Sequence, residues 1–291
     1  MEEKTKDGKG VGRLAIIGII VVVALVALGT YGWLTSSKHQ NQGSSTLVTE
    51  QLFTNRTVTL AGMLGNMTEG FDTNQFQVSY TGNATADLYG LRISVPVNLS
   101  VARYYNDSRV YGVVSGIPLI GNLTILDIKN GSRYYSCDLN VNNSVRSYEC
   151  HQEDASNSLF SSYNFSNGRG HGFGEVMVHL SHLNVSSYRG MPCTNVFGRL
   201  NYSNSTELSK INTTAETGQQ VSSVNMTFLS CVSNSDRIPL TLNMVVAAGN
   251  STKTITVGLQ LSETSFSRSS SPSIAELPGP VVNSTGFGQS G

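Results

Sequence analysis

Residues 122–137 read Asn-Leu-Thr-Ile-Leu-Asp-Ile-Lys-Asn-Gly-Ser-Arg-Tyr-Tyr-Ser-Cys, and this stretch decides the fold class. Asn130-Gly131 is the strongest short-range hairpin signal in the chain, because both residues reach the positive φ angles of a tight two-residue turn. The runs on either side, Asn122 to Ile128 and Ser132 to Cys137, are rich in β-branched and aromatic side chains and read as its two strands.

Outward from this hairpin the same rhythm continues. Gln75 to Tyr80, Leu88 to Val95, Val97 to Tyr105 and Arg109 to Val114 alternate apolar with polar, with Gly, Asn and Asp between them. Val145 to Cys150 continues the meander, and further strands are expected near Met191 to Tyr202, Asn225 to Val232, Ile238 to Ala247 and Thr254 to Ser262, with Gly249-Asn250-Ser251 as the last turn. Two stretches carry a helical stripe instead: Leu47 to Leu64, stopped by Gly65, and Glu175 to Leu183. The pattern predicts a mostly antiparallel β domain, sandwich or half-barrel, with one or two short helices. Its expected core includes Val78, Tyr80, Leu91, Ile93, Val113, Ile125, Val196, Phe228, Leu240, Leu242, Val257 and Leu259.

Ala155 to Gly174 breaks the rhythm with Ser, Asn and glycines at 168, 170, 172 and 174, and reads as a mobile connection between two halves. No Lys-Ser/Thr follows those glycines, so they form no phosphate loop. Ser267 to Gly291, rich in Ser, Pro and Gly, is expected to be a flexible tail.

Near the N-terminus, Leu14 to Leu34 is an uncharged apolar stretch long enough to cross a bilayer as a helix. Lys4, Lys6, Lys9 and Arg13 precede it, while only Lys38 occurs in the twenty residues after it, so the basic residues place the N-terminus in the cytoplasm and the bulk outside. A cleaved secretory signal would give the same asymmetry, with Ala27 and Gly29 at a small-x-small site, but the length of the segment and the interfacial Tyr31 and Trp33 favour a retained anchor. The expected order is a cytoplasmic segment (1–13), a transmembrane signal anchor (14–34), a polar stalk (35–46), an extracellular β domain (47–266) and the tail (267–291).

The cysteines and sequons agree with that sidedness. Cys137, Cys150, Cys193 and Cys231 all follow the apolar segment, and none forms the close CxxC pair of a zinc or redox site. Two disulfides are expected, and of three connectivities Cys137 with Cys150 and Cys193 with Cys231 is preferred, since each pair brackets locally paired strands. Asn-x-Ser/Thr occurs at Asn55, Asn66, Asn83, Asn98, Asn106, Asn122, Asn130, Asn142, Asn164, Asn184, Asn201, Asn204, Asn212, Asn225, Asn250 and Asn283. Chance would give about six such sites among the asparagines beyond the stalk, so N-glycosylation of an exposed surface is expected.

Charge narrows the function classes. Charged residues make up 13% of the chain, with Ser, Thr, Asn and Tyr in their place, and the net charge is zero. No basic footprint for nucleic acid exists, and a surface of neutral polar groups would keep its charge nearly constant in an acidic medium. His179 and His182 would share one face of a helix, with His171 as a third metal ligand, but no Cys or carboxylate sits at supporting spacing. Glu149, Glu153 and Asp154 cluster near His151 and read as solvated charges without a nucleophile. No Gly-x-Ser-x-Gly elbow, zinc-protease helix motif or kinase signature occurs, so an extracellular hydrolase has no motif behind it, and neither a catalytic group nor a cofactor is expected.

Three runs in the C-terminal half carry a resemblance: Tyr188-Arg-Gly-Met-Pro-Cys193-Thr-Asn-Val, then Cys231-Val-Ser-Asn-Ser-Asp-Arg-Ile-Pro-Leu240, then Thr254-Ile-Thr-Val-Gly-Leu-Gln-Leu. With Asn130-Gly-Ser-Arg-Tyr-Tyr-Ser-Cys137 in the first half, they are similar to the layout of the LolA/LppX-like lipoprotein-carrier superfamily over residues 48 to 266. The resemblance implies a strongly curved antiparallel half-barrel, closed by one or two helices, that can hold a lipid or another apolar chain. The chain departs from it in lacking the lipid-modified cysteine, which an apolar helix replaces, and its sequon density points to an archaeal type of envelope.

Two functional expectations follow. One is a non-enzymatic, membrane-anchored surface glycoprotein that acts as an envelope structural component or binds other envelope proteins. The other is a carrier of lipid or another hydrophobic ligand.

Overall fold

The computed structural model describes residues 56–59, 73–88, 90–118, 121–142, 145–153, 177–203, 222–249 and 254–282. The expected anchor at 14–34, the stalk, the glycine-rich connection and Asp154 lie outside them. Among the described residues no helix is long and apolar enough to cross a membrane.

Among the described residues twelve strands form one sheet: β1 (Arg56–Thr59), β2 (Gln75–Leu88), β3 (Leu91–Tyr104), β4 (Asp107–Ile117), β5 (Gly121–Asn130), β6 (Arg133–Asn142), β7 (Val145–Glu153), β8 (Met177–Tyr188), β9 (Met191–Tyr202), β10 (Ser223–Ser233), β11 (Pro239–Gly249) and β12 (Thr254–Ser267). Their order across the sheet is β1-β8-β9-β10-β11-β12-β2-β3-β4-β5-β6-β7. Two meanders, β2 to β7 and β8 to β12, are thus joined where β12 pairs with β2, and every pairing between named strands is antiparallel.

Alternation explains why the strands form and which way they face. In β2 one side carries Phe76, Val78, Tyr80, Ala84 and Ala86, all buried, and the other carries Gln75, Gln77, Ser79, Thr81, Asn83, Thr85 and Asp87. The face bearing Val78 is called the inner face here. Asp87 accepts from the N–H of Gly90, whose φ of 89° closes the turn into β3. Pro96 sits just beyond Val97, where the β4 pairing ends, so its missing N–H removes no ladder bond on that side.

The sheet bends instead of lying flat. Tyr188 at the end of β8 donates its hydroxyl to the Glu263 carbonyl of β12 at 3.2 Å. Four strand spacings of flat sheet would separate those strands by about 19 Å. Tyr80 of β2 likewise donates at 3.0 Å to the Pro239 carbonyl of β11, two places along. Bulges at Cys231/Val232, Glu263/Ser265 and His182/Val185 supply part of the bend. Gly198 leaves room for the Phe228 ring, which covers it across the β9–β10 pair where any Cβ would collide.

At this end the sheet closes on its own core, with Phe76, Val78, Val232, Ile238 and Leu240 each at most 1% exposed. Of the other expected core residues, Tyr80, Val196, Phe228, Val257 and Leu259 are buried, while Ile93, Ile125 and Leu242 are half-buried. Leu91 is 50% exposed at the far end of β3, and Val113 lies half-buried on the outer face opposite Asn98.

Three expectations need correction. Within Leu47 to Leu64, residues Arg56–Thr59 form β1, pairing with β8, so that part is not helical. Glu175 to Leu183 is not a short helix, because Met177–Tyr188 is β8. Sheet pairing on both flanks satisfies its backbone and overrides a weak helical stripe. Helical structure among the described residues is limited to a 3-10 turn, Pro272–Ala275, which lies in the expected flexible tail. That segment is seated on the sheet: Ile274 and Ala275 are buried against β3, β4 and β5, and the backbone of Pro280 and Val282 bonds to Cys150 of β7 at 3.0 Å.

Both preferred disulfides are present. Cys137 and Cys150 are direct Cα partners on β6 and β7, while Cys193 and Cys231 bridge β9 and β10 diagonally. Replacing Cys137 and Cys150 together by Ser is expected to lower unfolding free energy by about 3 kcal/mol, read as a fall in urea midpoint, from the closure of a short loop.

Candidate functional site: an apolar inner face with an acidic flank

The inner face away from the closed end is lined by side chains in register. Leu200, Met226, Val246, Val257, Ala86 and Ile93 are successive Cα partners across β9, β10, β11, β12, β2 and β3. A second row, Phe228, Met244, Leu259, Ala84 and Val95, runs beside it. Met226, Met244, Val246, Ile255 and Ile93 are only half-buried, in contrast with the filled closed end. The result is an apolar inner face about six strands wide, called the trough, that is continuous with the core: Ala84, Val95, Val257 and Leu259 are buried in the same cluster as the closed end, and Ile93, Met244 and Ile255 pack against it.

At β5 the sidedness inverts. Leu126, Ile128, Tyr135, Cys137 and Cys150 are buried on the outer face of β5 to β7, with Leu277 packed against them. The inner face there is polar: Asp127, Ser136 and His151 are partners in one row, Asp138 faces Glu149, and Tyr134 faces Glu153.

Asp127 is the group that sequence reasoning missed. It is 5% exposed, and its Oδ2 has no hydrogen-bond partner. Burial pushes its carboxyl up to about 7, with Glu153 and Asp138 raising it further and a hydrogen bond from Ser136 opposing them. The available signal was its register, since Leu123, Ile125 and Asp127 share one face. The surrounding Ile-Leu-Asp-Ile run made either face a plausible apolar one.

The acidic residues singled out from sequence are placed differently. Glu149 and Glu153 share the inner face of β7, half-buried, with His151 between them, instead of standing as solvated loop charges. His151 lies 3.7 Å from Asp138. The helical pairing of His179 with His182 does not form, because on strand β8 these positions fall on opposite faces, and His179 is exposed. Among the described residues no group of three His, Cys, Asp or Glu is placed to hold a metal.

Seven expected sequons fall among residues whose exposure is described: Asn83, Asn98, Asn106, Asn122, Asn130, Asn201 and Asn225, and all are exposed. Those inside β2, β3, β9 and β10 lie on the outer face. The remaining nine, at Asn55, Asn66, Asn142, Asn164, Asn184, Asn204, Asn212, Asn250 and Asn283, have no described side chain.

No protein-family model matches the chain, and no curated protein matches its sequence. Among solved structures it is similar to LprF from Mycobacterium bovis, at 10% identity and a TM-score of 0.36, over 74% of this chain and 94% of that one. It is similar to the lipoprotein LppX of Mycobacterium tuberculosis, at 13% identity and a TM-score of 0.35, over 73% and 97%. A DUF1329 family protein from Desulfovibrio piger follows, at 7% identity and a TM-score of 0.28, over 72% and 92%.

Proposed function

We propose that this protein carries a lipid or another apolar chain, held against the inner face of its sheet. The observation that carries the reading is the in-register row from Leu200 to Ile93, where half-buried Met226, Val246 and Ile93 leave apolar surface beside a closed, filled end. Met226 and Met244 suit such a surface, since unbranched thioether side chains adapt to ligands of irregular shape. Binding without covalent chemistry is the proposed activity, and the trough supports it better than a purely structural role in an envelope.

The setting is an extracellular one, with the domain tethered through residues 14–34. Exposure of the seven described sequons supports N-glycans on the outer face and turns, which would leave the apolar inner face bare for a ligand. A bilayer and neighbouring envelope proteins are the partners this placement implies.

Native mass spectrometry of the full chain purified from its host tests the reading. Added mass from a copurified lipid is expected, and Val246→Asp is expected to weaken binding at least about tenfold, because the ligand would bury an unpaired carboxylate. Absence of any apolar adduct in wild-type protein, together with crosslinks to envelope proteins, would return the reading to a structural component.

A further inference from the structure

We infer that the polar end of the carried molecule is a cationic amine, received on the inner face of β5 to β7 with Asp127 as its acceptor. The inference rests on the carrier reading and names the class of ligand.

The inner side of β5 runs from half-buried Leu123 and Ile125 to buried Asp127. Leu123 partners Val114 and Asp127 partners Val110, so β5 runs beside the core from half-buried Leu123 to a single carboxylate about 13 Å away, level with Val110, Val101 and Val78. That carboxylate lacks a donor. Its buried Oδ2 has no hydrogen-bond partner, and its other oxygen is served by Ser136. Buried acceptors without partners are rare and costly, and an N–H from a ligand would satisfy this one.

The neighbouring charges select the sign of that donor. Asp138, Glu149 and Glu153 occupy inner positions on β6 and β7, and His151 faces Asp138. Two cations share the face in the row beside Asp127, since Arg103 and Lys129 are both Cα partners of Ser108; Lys129 lies over the Tyr134 ring at 6.0 Å, Arg103 donates its Nε–H to the Tyr105 carbonyl at 3.1 Å, and the four acids outnumber them. A phosphate or carboxylate end would therefore meet like charge, while an ammonium would meet several acids and one open acceptor.

Affinities of the full chain for dodecylamine, dodecanol and dodecanoate at pH 8 test this. Dodecylamine is expected to bind about tenfold more tightly than dodecanol, with dodecanoate weakest. Asp127→Asn is expected to erase the amine preference, so that dodecylamine and dodecanol bind alike, and Val246→Asp to weaken all three. Equal binding of amine and alcohol to wild-type protein, or an amine preference that survives in Asp127→Asn, would overturn the inference and leave the carrier reading standing. Binding of none of the three would sink the carrier reading itself, and the inference with it.

Discussion

Asp127→Asn is expected to raise the melting temperature at pH 8 by about 10 °C and to leave it unchanged at pH 4. An ordinary Asp loses its proton near 3.8, but burial holds the folded carboxyl protonated up to about 7. Between those values the folded chain binds a proton that the unfolded chain has released, so stability falls as pH rises through that window and is flat above it. Three pKa units correspond to about 4 kcal/mol at most, and each kcal/mol moves the midpoint of a domain this size by about 2–4 °C. Asn keeps the shape and still accepts from Ser136, but it has no charge to bury. Thermal melts of both proteins at pH 4 and pH 8 check the prediction; equal differences at the two pH values would show that Asp127 does not titrate in that window.

The same sign recurs elsewhere. Burial also raises Glu263 against the opposing charge of Arg189, and raises Glu153 with Asp138 adding to it. Where a carboxyl shift is resolved, the folded state holds its protons more tightly than the unfolded chain does. Acid normally unfolds proteins by protonating carboxylates whose pKa the fold has lowered. Here the three resolved groups add stability as the medium acidifies from neutral toward about 4. That agrees with the low charge density of the sequence, where Ser, Thr and Asn take the outward positions of β2 and β3 and do not titrate.

Strands with clean alternation were legible in the sequence. Gln75 to Tyr80 and Val97 to Tyr105 could only put Phe76, Val78, Tyr80, Leu99 and Val101 on one face, and a hairpin formed at the Asn-Gly step, but with its two-residue turn one place on at Gly131-Ser132: Asn130 ends β5 opposite Arg133, and of the pair Gly131 alone takes a positive φ. Less legible was anything that depended on a distant strand. β8 lies between β1 and β9, so pairing from both sides decided its conformation, and no local window contains that information. Asp127 escaped notice for the same reason: it is buried by the bend and by β4 and β6, which its own neighbours in sequence do not report. The trough is visible in hindsight as alternation, but its emptier and fuller ends depend on a bend that Tyr188 and Glu263 record only once folded. A low-apolar segment read as a loose tail because three side chains, Ile274, Ala275 and Leu277, are too few to form a pattern.

Those three side chains carry the second large effect. A chain ending at Ser270 is expected to lose about 4 kcal/mol of stability and to self-associate. Ile274 and Ala275 are buried against β3, β4 and β5, and Leu277 packs on the cluster around Leu126 and Ile128. Removing them returns roughly two large side chains to water and uncovers the outer apolar face of β5 to β7. The same segment also occupies an edge. Cys150 donates its N–H to Pro280 and accepts from Val282, which covers the free side of β7 beside a parallel bridge to Val281. Without that cover, unpaired backbone next to the half-buried Tyr111 and Tyr148, which truncation would expose further, is a template for strand addition by a second chain. Gly279→Val separates seating from mere presence of the segment, since any Cβ there would run into the Tyr148 carbonyl, and it should reproduce most of the loss with the chain intact. Sedimentation velocity and urea midpoints of the three proteins decide the matter: monomers of equal stability would mean that residues 271–282 rest on the sheet without contributing to it.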